Sequence, residues 1–167
     1  MRYLNLFLLV LLMGVIPNPA WTGNVNDTGA PNSSDSANKF HAALQPIGSG
    51  SEADPYLIKS LDNLYWISEN PDQWEKYYKQ TADINACDTS TYDGGNGFIP
   101  IGNESTNFIG TYDGGGYTID GLFIDRSSEE YVGLFGYASN ARIGNLGMTN
   151  VDITGYEYVG GLGLAQK

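Results

Sequence analysis

The feature that most constrains this chain is the stretch over residues 108–136, FIGTYDGGGYTIDGLFIDRSSEEYVGLFG. Short apolar and β-branched runs are each closed by glycine or by a Gly/Asp/Asn turn. Phe108, Gly110 and Tyr112 alternate with Ile109, Thr111 and Asp113, the period of a strand. Asp113 and the three glycines after it tolerate positive φ, so the chain can reverse sharply there. Ile119, Leu122 and Ile124 supply the next apolar points, and Tyr131-Val132-Gly133 opens the one after.

The stretch half-repeats. Ile143, Leu146 and Met148 match Ile119, Leu122 and Ile124 twenty-four positions earlier, and Tyr158-Val159-Gly160 matches Tyr131-Val132-Gly133 twenty-seven earlier. A period of this size with strands, glycines and no helical pattern predicts a β-solenoid. Each unit has too little apolar surface to fold alone and must stack on a neighbour.

This order of elements resembles the GLUG-motif repeat proteins of bacterial surfaces and secretions. Gly133-Leu134-Phe135-Gly136 fits the motif's Gly-Leu-any-Gly form. The lead-in is also similar: the run from Gly48 through Pro55-Tyr56-Leu57-Ile58, then residues 78–84, then Pro100-Ile101-Gly102. The resemblance covers residues 48–162. It departs at Gly163 and Leu164, where the motif has an aliphatic residue and then glycine. It implies an all-β, right-handed parallel β-helix with further repeats as a rule.

In chain order, residues 1–20 carry Arg2, an apolar run over 6–16, Pro17, Pro19 and a small residue at Ala20, the outline of a secretory signal peptide. The run is shorter than the roughly 20 residues a membrane span needs. Residues 21–47 are polar and rich in Asn, Ser and Asp, which reads as a flexible linker. Residues 48–167 then form one β-helix domain. Within it, Ser60 is an expected N-cap and Leu61, Leu64, Tyr65 and Ser68 share a helical face, with Pro71 ending the helix. That short amino-terminal helix would cap the first coil of the solenoid. No counterpart is visible after Val159, so the last coil is expected to expose strand edges and apolar core, and to pair with another copy or domain.

Chemistry is sparse. The formal net charge of −11 disfavours nucleic acid and anionic membranes, and no membrane insertion is expected once the signal is removed. His41 is the single histidine and lies in the linker. Cys87 is the single cysteine, so there is no intrachain disulfide, and no histidine stands in the folded part to activate it. No H-E-x-x-H or phosphate-loop pattern occurs. Asp83, Asp93, Asp113, Asp120 and Asp125 offer paired carboxylates of the kind glycan-cleaving β-helices use, but Asp93 and Asp113 each precede Gly-Gly, where the turn itself favours Asp. Neither loop matches a calcium-binding series. Tyr112, Tyr117, Tyr131, Tyr137, Tyr156 and Tyr158 suit strands and also the stacking of sugar rings. Asn26, Asn32 and Asn103 open glycosylation sequons, which arise readily by chance in such sequence and normally stay unused in a bacterial protein.

The expectation is therefore a secreted or cell-surface structural or adhesion-type segment, not an enzyme, with no catalytic, metal or cofactor residues assigned. A cell-surface glycan is the ligand class it would meet. The alternative is the amino-terminal fragment of a glycan-active β-helix enzyme, or of a larger surface protein whose catalytic part lies elsewhere.

Overall fold

The computed structural model describes residues 42–163; the expected signal peptide, most of the linker and His41 lie outside them. The chain enters along Ile47, which pairs antiparallel with Leu57 of β1 (Tyr56–Ile58). Helix α1 (Leu61–Glu69) follows. The Ser60 side chain accepts from the Asn63 N–H, and Asn70 ends the helix just before Pro71, as the capping chemistry demands. The buried face is one step out of phase with the expected one. Asn63, Leu64, Trp66, Ile67 and Ser68 face inward, whereas Leu61 and Tyr65 are half-buried. The polar Asn63 is retained inside because its Nδ2 donates to the Leu44 carbonyl, 2.9 Å away. Leu44 in turn donates its N–H to the Asp62 carbonyl and Ile47 accepts from the Leu57 N–H, so residues 44–47 are hydrogen-bonded to the domain although Leu44 and Ile47 are exposed.

Eight further strands follow: β2 (Tyr77–Gln80), β3 (Ile84–Asn85), β4 (Thr111–Asp113), β5 (Thr118–Asp120), β6 (Phe123–Glu130), β7 (Arg142–Gly144), β8 (Gly147–Thr149) and β9 (Asp152–Glu157). They assemble into three sheets, in the orders β1-β2-β4-β7, β3-β5-β8 and β6-β9. Every pair within these sheets is parallel. Successive passes of the chain thus lie side by side: the first gives β1, the second β2 and β3, and the last two give one strand to each sheet.

Register sets the core. Tyr56, Tyr78, Tyr112 and Ile143 stand in one column, and Ile84, Ile119 and Met148 in a second. Ile124 and Ile153 form a third. Side chains alternate across a strand, so in-register parallel stacking keeps each apolar column facing the interior. Phe108, Tyr112, Ile119, Leu122, Ile124 and Phe135 are all fully buried. Buried Gln80 is satisfied: it accepts from the Tyr112 hydroxyl at 3.1 Å and donates to the Ala82 and Thr118 carbonyls.

The columns correct the twenty-four-residue repeat. Ile119 lies opposite Met148, not Ile143, and Ile143 continues the column of Tyr112. The sequence match had aligned two different corners of the same construction. Gly121 (φ 73°), Asn145 (φ 55°) and Asn150 (φ 50°) each turn the backbone through the left-handed region between two strands. The residue after each of the first two, Leu122 and Leu146, packs on the core. Glycine and asparagine are the residues that adopt this conformation at least cost.

Beyond β7, β8 and β9 no described strand covers the outer edge. Ile143, Leu146, Met148, Ile153 and Leu162 pack against the core but remain half-exposed, although Tyr112, Ile119 and Ile124, the preceding-pass partners of Ile143, Met148 and Ile153, are fully buried.

Candidate functional site

The most developed surface feature is a corner that occurs twice. Glu130-Tyr131-Val132-Gly133 and Glu157-Tyr158-Val159-Gly160 share a sequence and a conformation, with Tyr131 at φ 60° and Tyr158 at φ 55°. Left-handed backbone at a bulky residue costs about 1–2 kcal/mol. The two rings stack face to face, centroids 4.8 Å apart and planes inclined by 5°, and the edge of Tyr137 meets Tyr131 at 5.1 Å. Gly133 is required at this corner because a Cβ there would strike the Gly160 carbonyl and the Gly163 backbone. The adjoining GLFG segment hydrogen-bonds to the next pass, Leu134 donating to Gly161 and Phe135 to Leu162.

Beside Tyr131 lies an open groove of about 800 Å³ between Pro71, Pro100, Asn103, Glu104, Glu130 and Tyr131. Tyr131 is half-buried, with the Glu104 carboxylate near its hydroxyl. Partial loss of solvent, the Glu104 carboxylate and the other neighbouring groups push the phenol up to about 12, so it stays neutral at physiological pH.

The five carboxylates do not converge. Asp83 accepts from the Thr118 N–H at 2.8 Å. Asp93 pairs with Arg126 at 2.7 Å; the Arg126 side chain, only 8% exposed, also meets Glu129 and the Phe98 carbonyl. Asp113 accepts from the Gly115 N–H and from Asn145 Nδ2, and these bonds hold its carboxyl below the usual range. Asp120 is bound by Thr149 Oγ1 and Asn150 Nδ2, both at 2.6 Å, with the same effect. Each of these two carboxylates ties one pass to the next. Asp125 is exposed on β6. Among the described residues no group of three His, Cys, Asp or Glu side chains is placed to hold a metal ion.

The expected aromatic platform is also dispersed. Tyr112 and Tyr137 are buried, and one face of Tyr131 is covered by Tyr158. Tyr117, Tyr156 and Tyr158 are exposed. Cys87 is an exposed free thiol lying against Gly121. The Tyr-Val-Gly repeat was the sequence signal for the stacked corner. The groove could not be found that way, because its walls come from segments some 30 to 60 positions apart.

Comparison with known proteins finds two of interest. Over 117 residues, 68% of this chain, the sequence is 43% identical to halomucin of Haloquadratum walsbyi. Over 113 residues, 64% of the chain, it is 36% identical to a protein of Evansella cellulosilytica provisionally named a Gly-rich membrane protein. The chain spans only 1% and 12% of the lengths of these two relatives. No family model matches the chain, and no solved structure matches it.

Proposed function

We propose that residues 48–167 are a right-handed parallel β-helix of the GLUG-repeat type, carried by a surface or membrane-associated protein, and that the segment serves as structure or for adhesion and not as a catalyst. The observation that carries this reading is the in-register stacking of consecutive passes in three parallel sheets, with one apolar column per sheet. The acidic residues support it. Asp113 and Asp120 are held ionised as ties between passes, the opposite of the raised pKa that a general acid needs. The names halomucin and Gly-rich membrane protein are compatible with an extracytoplasmic setting, and the small share of each relative that is matched fits a module within a longer protein.

The test is fractionation of the producing cells, amino-terminal sequencing, and a glycan-binding and glycan-cleavage panel. The reading expects a product outside the cytoplasm that begins near Trp21 and turns over no glycan. A cytoplasmic product with Met1 intact would overturn the location. Turnover abolished by Asp113→Asn or Asp120→Asn would establish the glycan-active alternative instead.

A further inference from the structure

We propose that Asn103 is an N-glycosylation site and that the attached glycan lies along the groove beside Tyr131. The proposal rests on the extracytoplasmic reading above. Asn103-Glu104-Ser105 is a sequon, and residues 103–106 are all exposed, raised between buried Gly102 and buried Phe108. The tip has a defined conformation. Asn103 Oδ1 accepts from the N–H groups of Ser105 at 3.0 Å and Thr106 at 2.9 Å, and the Asn103 N–H donates to the Thr106 carbonyl. With Oδ1 occupied, Nδ2 has no hydrogen-bond partner among the described residues, nor does the Ser105 hydroxyl that a transferase must read.

The groove supplies the second argument. Asn103 lines it together with Tyr131 and Pro100, which supply apolar ring surface, and with Glu104, Ser128 and Glu130 as hydrogen-bonding groups. Apolar ring surface beside polar acceptors is the surface that a pyranose, with C–H faces and hydroxyl edges, fits. A glycan that begins at Asn103 reaches this surface without separate binding.

The reaction needs a lipid-linked glycosyl diphosphate and a transferase. Nδ2 attacks the anomeric carbon, the C–N bond forms, and the C–O bond to the diphosphate breaks. The lipid diphosphate leaves, and one Nδ2 proton passes to a base of the transferase. Nothing is oxidised or reduced.

The experiment is mass spectrometry of the peptide spanning Asn103 in full-length protein purified from the cells that make it, with its cellular fraction recorded. The expected result is a glycan mass on Asn103 that is lost completely in Asn103→Gln and Ser105→Ala and retained in Ser105→Thr. An extracytoplasmic protein with Asn103 bare, whether or not Asn26 or Asn32 carries sugar, overturns the site. A cytoplasmic protein overturns the location on which the site depends, and the site with it.

Discussion

Replacing Ile119 with alanine removes three carbon atoms from the middle of a column. Ile119 is fully buried and lies between Ile84 on one side and Met148 on the other. At about 0.8 kcal/mol per buried methylene the transfer term alone is about 2.4 kcal/mol. The backbone on both sides is fixed by parallel ladders and cannot close the gap fully, so a cavity term adds to it, and about 2–5 kcal/mol is expected. Ile109 is the internal control, the same residue type just ahead of β4 but 51% exposed. Ile109→Ala should stay within about 0.5 kcal/mol. Urea unfolding, followed by far-ultraviolet circular dichroism and by the fluorescence of Trp66 and Trp74, measures both under one set of conditions. An Ile119→Ala loss below about 0.5 kcal/mol, or one equal to that of Ile109→Ala, would refute the assignment of the column to the interior.

Acidification should uncouple the passes. The folded-state pKa values of Asp113 and Asp120 are depressed, so their contribution is complete above the unfolded carboxylate pKa of about 3.9 and is lost as pH falls through the folded values; the stability advantage of the native chain over Asp120→Asn should be present at pH 7 and vanish at the acid end of a urea-midpoint series. Gly102→Ala should destabilise by at least about 1 kcal/mol in the same assay, because Gly102 sits at φ 86° and a Cβ would strike the Tyr137 carbonyl, whereas Gly144→Ala, with open space around it, should be neutral or slightly stabilising. The half-exposed outer edge of β7, β8 and β9 predicts self-association of the 167-residue chain in sedimentation, reduced in Met148→Lys with Leu162→Lys; a monomer at high concentration that the variant does not alter would count against it.

Much of the fold was legible where a local rule decides it. Ser60, Pro71 and the apolar residues between them specify α1, although its inward face was misphased because buried Asn63 needs the distant Leu44 carbonyl to satisfy its Nδ2. The Tyr-Val-Gly repeat was legible because two corners of identical sequence stack directly. The twenty-four-residue match misled for a physical reason. The corners at Gly121, Asn145 and Asn150 all place a left-handed residue between strands, so corners between different sheets look alike, and sequence alone does not say which sheet a corner joins. The roles of Asp113 and Asp120 were half legible. The Asp113 turn could be read from the glycines that follow it, but its bond to Asn145, and those of Asp120 to Thr149 and Asn150, depend on the stacking register. The groove beside Tyr131 was not legible, since loops joined only by the fold build it.

The central claim is parallel stacking of consecutive passes in one register, and backbone nuclear Overhauser contacts between strands in solution test it most directly. The account predicts parallel-type contacts that link Ile84 to Ile119, Ile119 to Met148, Tyr112 to Ile143 and Ile124 to Ile153. Antiparallel contacts within these pairs, or Ile119 directly opposite Ile143, would contradict it.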